Sequence, residues 1–286
     1  MPFTYTAFLA EKQVFTHQNQ RIAYLHRGDP SAPLVILIHG WLSHGGIWDH
    51  TMNALKDRYQ LAAIDLLGHG HSDKPADADY SIAAQSARAI ALADHLGAKT
   101  FTVIGHSMGG QIALYMAIHH PERVTRVIDV SGVAAGLLSG YIRFVVEPIF
   151  ALGMRFPAIW NFSRLAMRFP LYRAIFDYPI FHHFWNVPLM GESRELAMIP
   201  GIEIPAYRDL VEIPRANLIG DMACIEAPVL IVFGKYDRTV PLINGEIAHE
   251  QIPGSQLVIL DDCGHDPMDE QPARYLAAVE AFLNAS

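Results

Sequence analysis

The chain of 286 residues contains few cysteines: only Cys224 and Cys263 are present, and neither belongs to a metal-binding spacing such as C-x-x-C. Two cysteines are too few for a disulfide framework, so we expect reduced thiols and a cytoplasmic protein. The opening sequence MPFTYTAFLAEKQ lacks a basic stretch followed by a long apolar one, and we therefore expect no signal peptide.

Charged residues are also scarce, at 17% of the chain, and the net charge is −8. With this acidic balance and no basic run, we expect no binding to nucleic acid. The most apolar region, residues 127–154, is interrupted by Arg143 and Glu147. No uninterrupted run of about 18 apolar residues is present, so we expect no transmembrane helix. The hydrophobic share of 51% is enough for a large buried core.

Strand-like and helix-like segments alternate along most of the chain. Short apolar runs such as PLVILIHG (33–40) are typical of strands that are buried on both faces of a parallel sheet. The clearest helix covers residues 81–97, with Ser81 as its N-cap and Gly97 after its end. This alternation predicts an α/β fold, with a mostly parallel sheet and helices on both faces.

Residues 134–221 interrupt this alternation and resemble a series of short helices. Fourteen of the 29 aromatic residues lie within residues 134–215. Ligands of open parallel sheets bind beyond the carboxyl ends of the strands, so we interpret 134–221 as a helical cap inserted into a core of residues 1–133 and 222–286. The alternative interpretation is a small helical subdomain with a core of its own.

The sequence GHSMG (105–109) lies between a buried strand and a helix. In this context G-x-S-x-G predicts a sharp turn that exposes the serine at the top of the sheet, where it can act as a nucleophile. Glycine is expected on both sides because a Cβ would collide with the neighbouring strand or helix. Ser107 is therefore the candidate nucleophile, and the N–H of Met108 is a candidate donor to an oxyanion.

A nucleophilic serine needs a histidine base that a carboxylate orients, and the chain order here should be serine, acid, histidine. Asp237 in GKYDRTVP and His265 in CGHDPMDEQP each follow a predicted strand. We expect Asp237 to orient His265. Asp129, on the strand before the insertion, is the alternative acid. Other neighbours of the histidine are interpreted as solvated, capping or structural residues: Asp261, Asp262, Asp266 and Cys263.

A second oxyanion donor should come from the loop after VILIHG. Gly40 permits a sharp turn there, and the backbone N–H of Trp41 is the candidate. The Trp41 side chain either lines the substrate pocket or packs beneath it. The other candidate substrate-binding residues are His106, Tyr141 and Trp185.

Five segments, in the expected order, resemble motifs of the α/β-hydrolase superfamily: LIHGW, DLLGHGHSDKP, GHSMGGQIAL, GKYDRTVP and CGHDPMDEQP. The resemblance covers nearly the whole chain and is closest to the serine-nucleophile branch of carboxylesterases and small lipases. It implies a Ser107–Asp237–His265 triad and an oxyanion hole at Trp41 and Met108. It also implies no metal and no organic cofactor, so the H-x-H pair in DLLGHGHSDKP, His69 and His71, is interpreted as structural.

The serine favours acyl transfer over the dehalogenation or epoxide opening of relatives with an aspartate nucleophile. We therefore expect an esterase that hydrolyses small-molecule esters with apolar acyl or aromatic groups. The alternatives are another serine-triad reaction (carbon–carbon bond hydrolysis, lactone opening or perhydrolysis) or a non-catalytic receptor with the same fold. The loop HGWLSHGG lacks the proline typical of carbon–carbon hydrolases, which weakens that alternative. The sequence does not indicate an oligomeric state.

The predicted cap contains a basic stretch in which Glu147 is the only acid between residues 141 and 175. Its arginines are Arg143, Arg155, Arg164, Arg168 and Arg173. Such a stretch suits an acidic substrate or lipid headgroups. We favour instead a solvated helical face, balanced by the later acids Glu192, Glu195, Glu203, Asp209 and Glu212, and do not expect a membrane-surface role.

Overall fold

The computed structural model describes residues 11–166, Tyr178, His182 and residues 203–285. Within this part of the chain, the strands are β1 (Lys12–His17), β2 (Gln20–Arg27), β3 (Leu34–Ile38), β4 (Gln60–Ile64), β5 (Phe101–His106), β6 (Val124–Val130), β7 (Val229–Gly234) and β8 (Gln256–Leu260). The helices are α1 (Asp49–Leu55), α2 (Ile82–His95), α3 (Met108–His119), α4 (Glu147–Arg155), α5 (Ala158–Ala166), α6 (Glu203–Arg215), α7 (Ile243–Gln251), α8 (Pro267–Glu270) and α9 (Pro272–Asn284).

The strands form one sheet in the order β1-β2-β4-β3-β5-β6-β7-β8. All pairings from β4 to β8 are parallel, whereas β1 pairs antiparallel with β2, and β2 with β4. The sequence interpretation missed β1, where Phe15 is the only buried side chain. Gln18 and Asn19 both have positive φ, which suits the tight turn of a β1–β2 hairpin.

Every residue of β3, β4 and β5 is buried, as their continuous apolar runs predict. One face of the sheet packs against α2, α3 and α7, and the other packs against α1 and α9. Ser81 accepts a hydrogen bond from the N–H of Ala84 at the start of α2, and Gly97 follows that helix with φ +76°. The predicted α/β-hydrolase fold, with a mostly parallel sheet and helices on both faces, is confirmed.

The segment between β6 and β7 contains α4, α5 and α6, preceded by a π-helical turn over Ile142–Val146. Its inner side chains form a small apolar cluster of Ile142, Val146, Phe150, Ala206 and Leu210. We refer to residues 134–221 as the inserted segment; its boundaries and its covering role stay predictions. None of the described helices combines the length and hydrophobicity that a bilayer crossing requires.

One attachment of the inserted segment to the core lies at the end of α6. The Gln111 side chain of α3 donates hydrogen bonds to the carbonyl oxygens of Ile213 (2.9 Å) and Ala216 (2.8 Å), at the end of α6. These carbonyls would otherwise lack partners, because the last turn of a helix leaves them unsatisfied. The helix that begins beside Ser107 therefore also holds the end of α6.

Candidate active site

Ser107 lies between β5 and α3 with φ 57° and ψ −118°. This left-handed backbone is unusual for a residue with a side chain. The glycines on either side allow it, because an added Cβ on Gly105 would lie 2.0 Å from the carbonyl oxygen of Gly109. An added Cβ on Gly109 would lie 2.2 Å from the carbonyl oxygen of Ile38. The geometry matches the strand–turn–helix expected of a nucleophile elbow.

The predicted acid and base lie in contact. Asp237 follows β7 and His265 follows β8, and Oδ2 of Asp237 is 2.7 Å from Nδ1 of His265. The other carboxylate oxygen, Oδ1, accepts hydrogen bonds from the backbone N–H groups of Thr239 and Val240, each at 2.8 Å. The carboxylate is therefore fixed by its own loop, and one oxygen is left to orient the imidazole.

The electrostatics around His265 favour its protonated form. Burial alone lowers the pKa of the imidazole, but the Asp237 carboxylate outweighs this effect, helped by Asp266 and Glu270, and the net pKa is raised. A histidine held in this way can accept a proton from a serine and is stabilised as a cation during the reaction.

Asp129, the alternative acid, lies elsewhere. Its carboxylate is fully buried on β6, where an added Cβ on Gly110 or Gly132 would lie 2.1 Å or 1.8 Å from Oδ1. Burial raises the pKa of this carboxyl to about 7, although the backbone of Gly132 lowers it in part. Because Nδ1 of His265 is paired with Asp237, Asp129 does not orient the candidate base.

Asp266 is the N-cap residue of α8, in line with the capping role that the sequence suggested, but its side chain makes no capping hydrogen bond and contacts His106 instead. Its Oδ1 lies 3.1 Å from Nε2 of His106, and the same nitrogen lies 2.9 Å from the carbonyl oxygen of His265. Both partners are acceptors, so Nε2 of His106 carries the proton. The rings of His106 and His265 are 4.7 Å apart. His106, which directly precedes the candidate nucleophile, thus holds the loop that carries the candidate base.

Among the residues that the structure describes, His265 has no hydrogen bond or ion pair with Asp261, Asp262 or Cys263. Asp261 is exposed and binds Lys235 at 3.0 Å, as expected of a solvated residue. Asp262 has φ 53°, a conformation that aspartate tolerates in turns. Cys263 is fully buried, and burial raises the pKa of its thiol, so a structural role fits and a reactive thiolate does not.

The two candidate oxyanion donors follow directly after Ser107 and after Gly40, which lies close to Ser107. Met108 is the first residue of α3, where a helix leaves its N–H groups without intrahelical partners. An added Cβ on Gly40 would lie 2.9 Å from the Cβ of Ser107, which brings the backbone leading into Trp41 beside the serine. Neither Trp41 nor Met108 donates its N–H to a backbone carbonyl within residues 11–166 and 203–285.

The Trp41 side chain packs against the inserted segment. Its Nε1–H donates a hydrogen bond of 2.7 Å to the carbonyl oxygen of Ala206 on α6, and its ring lies 4.9 Å from that of Phe150 on α4. Trp41 therefore joins the loop beside Ser107 to two helices of the inserted segment.

The sequence did not reveal the part played by His39. Its Nδ1–H donates to the carbonyl oxygen of Gly40 (2.7 Å), and its Nε2 accepts from the N–H of Leu66 (3.0 Å). Burial lowers the pKa of His39 to about 4, so the ring stays neutral and keeps this tautomer. His39 thus links the backbone of Gly40 to that of Leu66. In the sequence, only its position directly before Gly40 hinted at a role near the candidate site.

The H-x-H pair does not converge on one point. Nε2 of His69 lies 3.5 Å from Asp209 on α6, whereas Nδ1 of His71 lies 3.7 Å from Asp65. The Asp65 carboxylate also binds Lys12 and the N–H of Gly45. The two histidines thus contact different carboxylates, one on the inserted segment and one in the core.

The candidate substrate-binding residues are only partly described. His106 is buried against His265. Tyr141 is half-buried in the inserted segment, with its ring 6.0 Å from that of Tyr178. Trp185 lies outside the described residues. Contact between these side chains and a substrate stays a prediction.

Comparison with known proteins places the chain among hydrolases. A family model described as the alpha/beta hydrolase fold matches residues 33–147. The 2-hydroxymuconate semialdehyde hydrolase of Pseudomonas putida is 31% identical over 232 residues, which cover 78% of this chain and 76% of that protein. The pimeloyl-[acyl-carrier protein] methyl ester esterase of Nitrosomonas europaea is 24% identical over 88% of this chain and 96% of its own.

A solved structure is similar over almost the whole chain. The crystal structure of a membrane phospholipase A, described as a bacterial virulence factor, superposes with a TM-score of 0.79 and 26% identity. The match covers 98% of this chain and 91% of the phospholipase chain. Relatives with one architecture thus include proteins named for different hydrolytic reactions.

Proposed function

Because the chain belongs to the alpha/beta hydrolase fold family, we propose that it is a serine hydrolase that cleaves carboxylic esters with apolar acyl or aromatic groups. The proposed catalytic residues are Ser107 as nucleophile, His265 as general base and Asp237 as its orienting acid. The observation that carries the proposal is the 2.7 Å contact between Asp237 and His265, together with the left-handed backbone of Ser107.

The proposed reaction begins with attack of Ser107 Oγ on the ester carbonyl carbon, while Nε2 of His265 accepts the serine proton. Asp237 keeps the imidazole proton on Nδ1, which leaves Nε2 free to act as the base. The carbonyl π electrons move onto oxygen, and the resulting oxyanion accepts hydrogen bonds from the N–H groups of Trp41 and Met108. These donors are held in place before the substrate arrives, so little reorganisation is needed.

Collapse of the tetrahedral intermediate breaks the bond to the alcohol, which takes the proton from His265 as it leaves. An acyl ester on Ser107 remains. Water then attacks this ester while His265 accepts a proton from it, and a second collapse releases the carboxylic acid and restores the serine. Acylation and deacylation of Ser107 together consume only the ester and one water molecule. No metal or organic cofactor takes part in the proposed steps.

Hydrolysis of a carbon–carbon bond is the second candidate function. It is favoured by the 31% identity to the 2-hydroxymuconate semialdehyde hydrolase, which exceeds the 24% identity to the methyl ester esterase. The same serine, base and oxyanion donors would serve this reaction, so the site geometry alone does not separate the two. The third candidate, a non-catalytic receptor of the same fold, predicts ligand binding without turnover.

The deciding experiment compares kcat/KM for p-nitrophenyl esters from acetate to palmitate with kcat/KM for 2-hydroxymuconate semialdehyde. We expect the esters to be the better substrates, with an optimum at one acyl length. Ser107→Ala should lose at least about a thousandfold in kcat, because no nucleophile remains. Ser131→Ala is the matched control, since Ser131 is also buried and has φ 51° but follows β6.

A higher kcat/KM for the semialdehyde would replace the esterase proposal with carbon–carbon hydrolysis. Absence of turnover on both substrate classes, by a folded protein, would favour the receptor. Equal activity of Ser107→Ala and the original protein would exclude Ser107 as the nucleophile.

A further inference from the structure

The described part of the inserted segment exposes large apolar side chains between residues 144 and 162. Four large side chains there are more than half exposed: Phe144 (77%), Phe162 (65%), Phe156 (52%) and Leu152 (51%). We call these four residues the outer apolar surface. Exposed apolar patches are uncommon on soluble proteins, and they often mark a contact with a partner or a lipid.

The helix periodicity explains why these side chains face outward. Ile142, Val146 and Phe150 recur every four residues and are buried against α6. The opposite face carries Phe144 and Leu152, eight residues apart, where a helix over a core normally carries polar residues. This stretch is therefore apolar on both faces, although only one faces protein.

Basic groups border the outer apolar surface. Arg143 and Arg155 are exposed, and the guanidinium of Arg155 lies 5.3 Å from the ring centre of Phe156. Glu147, the only acid between residues 141 and 175, is half-buried. Phenylalanine and leucine next to arginine form the pattern of helices that lie in the boundary between lipid headgroups and acyl chains.

Two of the acids expected to balance these arginines have other local partners. Asp209 is buried on α6, 3.5 Å from Nε2 of His69, and faces the core. Glu212 binds Arg215 of its own helix at 2.8 Å. The expectation of a solvated, balanced face is therefore wrong for Asp209, because the phase of α6 turns this residue inward, whereas Glu212 stays partly exposed.

We propose that the outer apolar surface docks the protein peripherally on anionic phospholipid bilayers. Phe144, Leu152, Phe156 and Phe162 enter the headgroup boundary, while Arg143 and Arg155 bind lipid phosphates. A second copy of the chain is a poorer occupant, since a two-fold contact through this surface would bring like-charged arginines together. The inference concerns binding alone and does not depend on the proposed ester hydrolysis.

The net charge of −8 opposes approach to an anionic membrane. Binding must therefore depend on a local surface that combines arginines with exposed apolar side chains, as the outer apolar surface does. Few substitutions should then be enough to abolish it, which makes the proposal straightforward to test.

The experiment is co-sedimentation of the full chain with vesicles of phosphatidylcholine alone or mixed with phosphatidylglycerol. We expect binding to the mixed vesicles and weaker binding to phosphatidylcholine and at high salt. Phe144→Ser with Leu152→Ser should weaken binding at least about tenfold, since two large side chains lose their apolar burial. Neutralising Arg143 or Arg155 to Gln should cost about fivefold each.

The matched control is Ile219→Ser with Ile259→Ser, two exposed apolar side chains of 44% and 39% outside helices α4 and α5. This variant should bind like the original protein. No co-sedimentation with the mixed vesicles would overturn the proposal, as would equal binding by the Phe144/Leu152 variant or equal loss in the control. Sedimentation velocity without lipid adds a further check: dimers that the Phe144/Leu152 variant abolishes would identify a second copy as the occupant.

Discussion

Gly40 and Ser107 approach so closely that an added Cβ on Gly40 would lie 2.9 Å from the serine Cβ and 3.1 Å from Nδ1 of His106. Two loops from different strands thus meet with no room for a methyl group. This contact brings the backbone that leads into Trp41 beside the candidate nucleophile. The spacing of the proposed oxyanion hole therefore requires that residue 40 has no side chain.

We expect Gly40→Ala to lower kcat at least about a hundredfold, comparable to the loss of one oxyanion donor, because the methyl group must displace the loop or Ser107. Steady-state kinetics on the best ester would measure this. Gly140→Ala is the control, since its nearest neighbour, the ring of Phe144, lies at an ordinary 3.6 Å. Unchanged kcat in Gly40→Ala would show that this loop does not supply a donor.

Trp41→Phe tests whether the inserted segment positions the oxyanion loop. The variant keeps a ring against Phe150 but loses the 2.7 Å hydrogen bond to the carbonyl oxygen of Ala206. We expect kcat to fall about tenfold, with a free energy of unfolding about 1–3 kcal/mol lower, because a partly buried carbonyl loses its donor. A changed KM at constant kcat would instead indicate that the side chain contacts substrate.

His106 is expected to position the loop of His265. His106→Ala removes the donor to the His265 carbonyl and to Asp266, and we expect kcat to fall about tenfold while KM changes little. His106→Gln should recover most of the loss, because its Nε2 can replace the imidazole donor. If both variants raise KM and leave kcat unchanged, His106 contacts the substrate instead.

The acid limb of the pH profile should report His265. The base must be neutral to accept a proton, and the pKa of His265 is raised. As pH decreases, kcat/KM should therefore begin to fall at a pH above the ordinary imidazole pKa of about 6.5. Asp237→Asn removes a carboxylate that raises this pKa. The limb should then move to lower pH, while kcat falls about ten-thousandfold because the tautomer is no longer fixed.

Asp261→Asn provides the control for this profile, since Asp261 is exposed and bound to Lys235. Its profile should match that of the original protein. An acid limb that keeps its position in Asp237→Asn would contradict the assignment of the limb to His265.

Asp129 should make stability depend on pH. Its carboxyl has a pKa of about 7 in the folded protein against an ordinary 3.8, so the folded state binds the proton more tightly. The resulting stabilisation is complete below about pH 4 and is lost as pH rises through 7. Asp129→Asn cannot ionise, and its free energy of unfolding should decline less steeply over this range.

Urea denaturation at several pH values would measure this difference in slope. Some decline should persist in the variant, because burial also raises the pKa of Asp269 and of Glu270 to about 7. Identical slopes in both proteins would show that Asp129 does not bind its proton more tightly when folded.

The sheet and the location of the candidate site could be predicted from sequence for a common reason. Ser107, Asp237 and His265 each follow an apolar run, and parallel strands end at the same edge of a sheet. Their proximity therefore follows from strand order. β1 could not be predicted in this way, since Phe15 is its only buried side chain and an edge strand needs no alternating pattern.

Contacts between loops that are distant in the chain could not be predicted from the sequence. The sequence indicated a solvated or capping role for Asp266 but not its contact with His106, which lies more than 150 residues earlier in the chain. The buried position of Asp209 and the outward position of Phe144 depend on helix phase and on which face meets the core. Hydrophobic periodicity does not fix this phase where both faces of a helix are apolar.

Because the backbone around Ser107 is crowded, neighbouring positions differ in which substitutions the fold can tolerate during evolution. A serine-to-alanine change removes only an oxygen atom, so a descendant that no longer needs the reaction can keep the fold and adopt another use. Gly105 and Gly109 offer no such freedom, since any side chain there would meet backbone oxygens. In a comprehensive mutational scan for folding alone, we expect these two glycines to tolerate fewer substitutions than the serine between them.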